Sequence, residues 1–323
     1  MSAAAPAGAP RPTAGIPRIV LEELLGGVRG ELARRDEGPT GAWVEESAAE
    51  LASGAKPGWY LPGEAGGLVF YARQGPAAYA HLHATGGATA GLALARTLTE
   101  ALPADVLSLD LGFTGLPVDD ERTVVAELAR APGSTVIPRE ALDRPLTPAD
   151  GRFPPEPPPG LERVPLSAVT LDALAELDRI SFQGTVDELL LGPEPGATRR
   201  SLEALLAGRL GPFVAEASGA LIEPEPLRLV GAVVTAERSS HRGIVLALMV
   251  DPERRRRGLG RFLLGWTTRA LWGLGYESVR LWVSKENVVA RELYRSFGFR
   301  SSLDATIYRW DRPGAGAQPQ RSR

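Results

Sequence analysis

The 323-residue chain contains no cysteine. Disulfide bonds, thiolate metal centres and cysteine nucleophiles are therefore excluded. Histidine is almost as scarce, with only His81, His83 and His241, so we predict no metal site built on imidazoles. An excess of positive charge is also missing, because the net charge is −3. This balance argues against nucleic acid as a partner, since nucleic-acid-binding domains usually present a basic face.

Long apolar runs are absent as well. No stretch of 18 apolar residues occurs, so we predict no membrane-spanning helix and no membrane partner. The N-terminal stretch MSAAAPAGAPRPTAGIP lacks the continuous apolar core of a signal peptide. We therefore expect a cytoplasmic protein. Its length, with 44% hydrophobic residues, suffices for two domains that each bury a core.

Proline marks the clearest boundary in the chain. The segment PADGRFPPEPPPGLERVP cannot continue a helix or a central strand, because its prolines lack the backbone N–H group. It is typical of a semi-rigid extended linker. The predicted division is a disordered tail at 1–15, a first domain at 16–150, a linker at 151–160, a second domain at 161–312 and a disordered tail at 313–323.

Apolar periodicity predicts similar elements in both halves. After the linker the predicted order is βααβββαβαβ, with Thr170 as the N-cap of one helix and Gly275 as the C-cap of another. The run GIVLALMV is typical of a buried central strand. In the N-terminal half, ATGGATAGLALARTLTEALPADVLSLDLG gives the same succession of loop, helix and strand. We predict an α+β fold of two tandem domains, each a mixed, mostly antiparallel central sheet flanked by helices.

Four arginines lie between the buried strand and the next helix, in VDPERRRRGLGRFLL. The first N–H groups of a helix have no partner within it, and the helix dipole adds partial positive charge there. Glycine lets a ligand approach the backbone closely. The stretch therefore predicts an anion site suited to phosphate. It is not a Walker A loop, which needs Gly-Lys, nor a dinucleotide fingerprint, which needs a third glycine.

Two motifs in the C-terminal half occur together. Residues 255–260, Arg-Arg-Arg-Gly-Leu-Gly, fit R-x-x-G-x-G after Val-Asp-Pro, and residues 287–299 fit N-x-x-A-x-x-x-Y-x-x-x-G-F. In this combination the chain resembles the GNAT (Gcn5-related N-acetyltransferase) family over roughly residues 160 to 311. The two-domain plan is similar to that of tandem-domain members, so the resemblance implies two GNAT-like domains, of which the second is catalytic.

The resemblance implies acetyl-CoA as co-substrate and a primary amine, of a small molecule, as acceptor. The arginine loop would bind the pyrophosphate through backbone N–H groups, and the strand before it would pair with the pantetheine arm. A free N–H group of that strand would polarise the acetyl carbonyl. The implied cofactor-binding residues are Leu248, Met249, Val250, Arg255, Arg256, Arg257, Gly258, Leu259, Gly260, Arg261 and Asn287.

Tyr294 is implied as the acid that protonates the leaving CoA thiolate. The base is open, because the strand SSHRGIVLALMV has no carboxylate where many relatives carry a glutamate. The candidates are Glu237, His241 and Glu216, with water as the alternative. Trp282 is a further candidate, for the lining of the acceptor pocket.

The N-terminal half lacks this machinery. Its equivalent turn, HATGGATAGL, has Gly86 and Gly87 but no arginine, and no tyrosine corresponds to Tyr294. We predict a degenerate GNAT-like domain in which His81 and His83 share one face of a strand and serve structure. Two alternative functions stay open: acetylation of protein or peptide N-termini, and acyl-CoA binding by a scaffold without turnover. The oligomeric state, monomer or homodimer, also stays open.

Overall fold

The computed structural model describes residues 9–35, 47–63, 66–154, 156–191 and 196–314. These residues form two compact units. Unit 1 holds the described residues up to 137 together with 305–314, and unit 2 holds those from 138 to 304. None of the helices in this part of the chain is both long and apolar enough to cross a membrane.

Unit 1 is a mostly antiparallel sheet with helices on both faces. Its strands are β1 (Arg11–Pro12), β2 (Gly58–Leu61), β3 (Gly67–Gln74), β4 (Ala77–Ala84) and β5 (Ser108–Thr114), and β4 and β5 alone among these pair in parallel. Its helices are α1 (Arg18–Arg34), α2 (47–53), α3 (Gly87–Ala101) and α4 (Val118–Leu128). Side chains alternate along β3, so that Leu68 and Phe70 pack with α1 while Val69 and Tyr71 pack with α3 and α4.

Unit 2 has the same architecture. The strand order is β6-β11-β10-β9-β8-β7, and only β10 and β11 pair in parallel within this set. The strands are β6 (Ser134–Pro145, from residue 138), β7 (Glu162–Val164), β8 (Gly219–Pro224), β9 (Leu227–Ser239), β10 (Arg242–Val250), β11 (Ser278–Ser284) and β12 (Arg300–Asp311, to residue 304). The helices are α5 (Leu171–Phe182), α6 (Ala197–Leu206), α7 (Leu259–Gly273) and α8 (Val288–Ser296).

The predicted helix ends are confirmed. Thr170 caps α5, because its hydroxyl accepts a hydrogen bond from the Ala173 N–H at 3.2 Å. Gly275 follows α7 with φ +84°, a left-handed conformation that glycine adopts without strain. α7 is thus fixed in length between the arginine loop and Gly275, and it joins the parallel strands β10 and β11 as a crossover helix.

The predicted internal repeat also holds. Each half runs through a short strand, two helices, three strands, a helix, a strand, a helix and a last strand.

The predicted domain limits at 150 and 161 differ from those of the compact units. In unit 2, residues 139–145 of β6 pair with β11, and in unit 1 residues 307–311 of β12 pair with β5. The last strand of the N-terminal half, β6, therefore completes the sheet of unit 2. The last strand of the C-terminal half, β12, completes the sheet of unit 1.

The predicted linker lies within unit 2 and does not extend free of it. Phe153 contacts Phe262 and Phe297, with ring centroids 6.2 Å apart in both pairs. The Phe153 carbonyl also accepts a hydrogen bond from the Arg269 guanidinium. Proline content predicted the end of regular structure at this place but not the aromatic packing that holds the segment.

Candidate active site

A cleft opens in unit 2 where β10 and β11 separate. The parallel pairing covers Arg242–Val245 opposite Ser278–Leu281 and then ends. An irregularity in the β9 pairing between Val245 and Ala247 coincides with this point, and such a bulge bends its strand. The cleft has a volume of about 1040 Å³, and the separated ends of both strands line it.

The arginine loop forms one wall of the cleft. Asp251 accepts a hydrogen bond from the Glu253 N–H at 2.9 Å and starts a short 3₁₀ turn after β10. Two residues are then left-handed: Arg256 has φ +60° and Gly258, the N-cap of α7, has φ +84°. A Cβ on Gly258 would meet no heavy atom within 4 Å, so open space lies over the start of α7. Such backbone turns expose N–H groups to an anion.

The guanidinium groups of this loop differ in what they contact. Arg254 is bound to Glu223 by two hydrogen bonds, of 2.6 and 3.0 Å. Arg255 donates to the carbonyl of Ser181. Within the described ranges, Arg256 and Arg257 have no ion pair or hydrogen bond from their side chains. Two positive charges are therefore available to a ligand at the start of α7.

The remaining loop residues predicted for the cofactor also line the cleft. Leu259 is buried at the start of α7, and a Cβ on Gly260 would lie 3.1 Å from Leu293. The Arg261 guanidinium lies over the Phe297 ring, 5.3 Å from its centroid. Gly260 thus brings the first turn of α7 close to α8.

Of the three strand residues predicted to pair with the pantetheine arm, two have side chains in the cleft. Leu248 and Val250 line the cleft and pack with the α7 side of the sheet. Met249 faces the other way and is fully buried against α5 and α6, so its side chain is no part of the cleft. Successive side chains of a strand point to opposite faces, so Met249 could contribute only its backbone to the predicted pairing, which stays a prediction.

Tyr294 reaches the cleft from α8. Only 8% of its surface is exposed, and its ring packs edge-on against Phe299 with centroids 6.0 Å apart. Burial, and after it the charge of Asp187, raises the pKa of the Tyr294 hydroxyl well above its ordinary value. The group is therefore protonated at neutral pH and able to donate a proton.

A buried hydrogen-bond network lies beside Tyr294. Asp187, from the 3₁₀ helix Val186–Leu191, accepts one hydrogen bond from the Ser284 hydroxyl and one of 2.8 Å from Asn287 Nδ2. Asn287 Oδ1 accepts the Ala290 N–H at 3.2 Å and caps α8. Asn287 lines the cleft as predicted, but both ends of its amide already have partners in the protein.

Two further charged residues line the cleft. Asp178 on α5 is 6% exposed, and no hydrogen bond joins its carboxylate to any residue that the structure describes. Burial raises the pKa of Asp178 to about 7. Arg139 on β6 has a buried Nε without a hydrogen-bond partner. Burial lowers the pKa of its guanidinium, against the opposing charge of Asp187.

Residues 174–299 match the family model of the acetyltransferase (GNAT) family. These residues are similar to a GNAT acetyltransferase domain and are called the GNAT domain. Every cleft residue just described except Arg139 lies inside the matched range. The family model therefore covers the separated strands, the arginine loop and Tyr294.

Comparison with known proteins extends the likeness over both halves. A mycothiol acetyltransferase from Frankia casuarinae is 29% identical over 240 residues, which cover 71% of this chain and 66% of that protein. A GCN5-related N-acetyltransferase from Sphaerobacter thermophilus superposes with a TM-score of 0.60 at 16% identity, over 95% of this chain and 96% of that one. A tandem GNAT protein from the clavulanic acid biosynthesis pathway gives 0.56 at 15%, over 94% and 97%. The predicted fold class is confirmed.

The three residues predicted as candidate bases lie outside the cleft. Glu237 pairs with Gly243 and accepts a hydrogen bond of 3.0 Å from the Tyr276 hydroxyl. Since Leu248 is five residues further along β10, Glu237 is roughly 15 Å away along the sheet. His241 sits in the β9–β10 turn with φ +59° and does not line the cleft, nor does Glu216. These three predictions are not supported by the geometry. Trp282 lines the cleft, and its contact with the acceptor stays a prediction.

Sequence reasoning missed Asp178, Asp187 and Arg139. For Asp178 a pattern was present, because the buried face of α5 consists of Leu174, Leu177, Asp178 and Ser181 at helical spacing. A carboxylate in such a stripe is unusual in a core and favours a functional role. Asp187 and Arg139 reach the cleft through tertiary contacts that no local pattern indicates.

Unit 1 differs from the GNAT domain at the equivalent turn. α3 begins at Gly87, and the Asp120 carboxylate lies 3.4 Å from where a Gly87 Cβ would be. His81 and His83 both hydrogen-bond to the Thr114 hydroxyl, at 2.8 and 3.1 Å, and burial lowers the pKa of His81 to about 3. Among the described residues no cluster suited to a metal ion occurs.

Proposed function

We propose that the protein transfers the acetyl group of acetyl-CoA directly to a primary amine, and that the acceptor is a small molecule. One observation carries the proposal: the separated strands, the arginine loop with left-handed Arg256 and Gly258, and the buried Tyr294 line the same cleft. The curated relative named mycothiol acetyltransferase favours a small acceptor over a protein.

The residues of the loop fit a pyrophosphate. The open space over Gly258 and the unpaired guanidinium groups of Arg256 and Arg257 give backbone donors and positive charge at one place. Leu248 and Val250 would hold the pantetheine arm along β10, beyond the point where β11 stops pairing. When bound, acetyl-CoA supplies the thioester whose carbonyl carbon the amine attacks.

Two residues of the cleft would move the protons. The attack forms a C–N bond, breaks the C–S bond, releases one proton from the amine and requires one at the thiolate. Tyr294 would protonate the sulfur, because its side chain lines the cleft and its hydroxyl is protonated at neutral pH. Asp178 replaces Glu237 and His241 as the proposed base, since a carboxylate with a pKa of about 7 is partly ionised at neutral pH and can still hold a proton.

Unit 1 is proposed to be a degenerate GNAT-like domain without a cofactor site. The Asp120 carboxylate beside the first turn of α3 favourably interacts with that helix terminus. A phosphate there would meet a like charge. Burial lowers the pKa of both His81 and His83, and both side chains hydrogen-bond to Thr114, which supports a structural role.

The proposal is tested by thiol release from acetyl-CoA over a panel of primary amines. Tyr294→Phe should retain acetyl-CoA binding and lower kcat at least tenfold, roughly the lower limit for losing a general acid. Tyr276→Phe is the matched control, because Tyr276 is also partly buried but bonds to Glu237 outside the cleft. Binding without release by the wild type, for every amine, would favour the scaffold alternative. Turnover of peptides alone would favour N-terminal acetylation.

A further inference from the structure

Arg139 is placed differently from the arginines around it. On β6 it lies opposite Ser284 of β11, and its side chain lines the cleft. Its Nε is buried and has no hydrogen-bond partner. No ion pair or hydrogen bond joins its guanidinium to any other residue in the described parts of the chain. The positive charge therefore faces the cleft without compensation by direct contact.

Two neighbouring arginines of unit 2 have carboxylate partners. Arg280 is bound to Asp143 through two hydrogen bonds of 2.6 and 2.7 Å, and Arg291 is bound to Glu140. A guanidinium taken from water without a partner costs free energy, because no protein group replaces the lost hydration. Among the described residues Arg139 has no carboxylate bound to it, unlike Arg280 and Arg291.

Asp187 does not remove the cost. Its two carboxylate oxygens accept hydrogen bonds from Ser284 and Asn287, one each. Arg139 lies close enough for the charge of Asp187 to act on it, but not within hydrogen-bonding distance. The terminal nitrogens of Arg139 are thus free to bind an anion that enters the cleft on the Tyr294 side.

The anion is not expected to be the pyrophosphate, which has its own loop at the start of α7. Arg139 neighbours Tyr294, where the proposed chemistry takes place. A planar guanidinium matches a carboxylate with two parallel hydrogen bonds. An anion at this position would hold its own molecule beside the reacting amine.

We propose that Arg139 binds a carboxylate of the acceptor, so that the acceptor is an amino acid-like molecule whose carboxylate lies near its amine. This inference rests on the proposed function and names the substrate class of the same cleft. Arg139 is then a specificity-determining residue and takes no part in the proton transfers.

The test uses free amino acids, each paired with its primary amide, in the thiol-release assay. The wild type should prefer at least one acid over its amide by tenfold or more in kcat/KM. Arg139→Gln should lower kcat/KM for that acid roughly 10- to 100-fold, as expected for a lost charge-assisted pair. It should lower kcat/KM for the amide far less and leave the Kd of acetyl-CoA unchanged. Arg139→Lys should retain part of the preference.

Arg209→Gln is the matched control, since Arg209 is an exposed arginine of unit 2 that does not line the cleft. A second readout needs no turnover: calorimetry of N-acetylated amino acids and their amides with the CoA-loaded protein. Absence of any acid preference in both assays overturns the inference, as does an equal loss for acids and amides in Arg139→Gln. An acid preference in binding without thiol release would support Arg139 while refuting the transferase.

Discussion

Asp178 gives the sharpest prediction about the electrostatics of the cleft. Its pKa is raised from 3.8 to about 7 by burial. An acid with a raised folded-state pKa stabilises the fold fully below its unfolded value, and this contribution is lost as pH rises through the folded value. Relative to Asp178→Asn, which has no charge to bury, the wild type should therefore lose stability between pH 5 and pH 8.

The size of the effect follows from the shift. One pKa unit corresponds to about 1.4 kcal/mol. The stability changes only up to the folded-state pKa of about 7, so about two of the roughly three pKa units of the shift lie between pH 5 and pH 8. The difference in the free energy of unfolding between wild type and Asp178→Asn should change by about 2 to 3 kcal/mol from pH 5 to pH 8. Urea unfolding at both pH values measures it.

Asp172→Asn is the control for this experiment, because Asp172 is on the same helix with an exposed carboxylate. It should leave the pH dependence of the wild type unaltered. A change below about 1 kcal/mol for Asp178→Asn would mean that the Asp178 carboxylate is well hydrated. The reasoning that makes it the base would then fail. If the reasoning holds, the limb of the kcat/KM profile near pH 7 should disappear in the variant.

Three further predictions concern the loop, the packing and unit 1. Arg256→Gln combined with Arg257→Gln should weaken acetyl-CoA binding roughly tenfold, less at high salt, by calorimetry. Gly265→Ala should cost about 1 to 3 kcal/mol in urea unfolding, because the new Cβ would lie 2.1 Å from the Phe153 ring. The depressed pKa of His81 means that stability falls as pH drops below about 6.5. His81→Gln should remove about 2 to 3 kcal/mol of that fall between pH 7 and pH 4.5.

Local sequence patterns predicted the parts of the fold that depend on neighbouring residues. The anion loop requires glycine at a left-handed position before a helix, and Gly258 provides it. The caps at Thr170 and Gly275 depend on one side-chain hydroxyl and one positive φ. These features are encoded within a few residues, so reading them needs no knowledge of the tertiary structure.

Other features depend on distant contacts and were missed or misplaced. The exchange of last strands between the units depends on pairing of β6 with β11 and of β12 with β5, far apart in sequence. Glu237 is near the catalytic strand in sequence but at its other end in space. No local pattern carries this information.

The central claim is that the start of α7 binds the pyrophosphate of acetyl-CoA. Gly258 and Gly275 lie at opposite ends of α7, both have φ +84°, and a Cβ on either would meet open space. Gly258→Trp and Gly275→Trp therefore impose the same backbone strain, but only the first fills the loop. Calorimetry should show acetyl-CoA binding to the wild type and to Gly275→Trp, and none to Gly258→Trp. Equal binding by both variants would contradict the account.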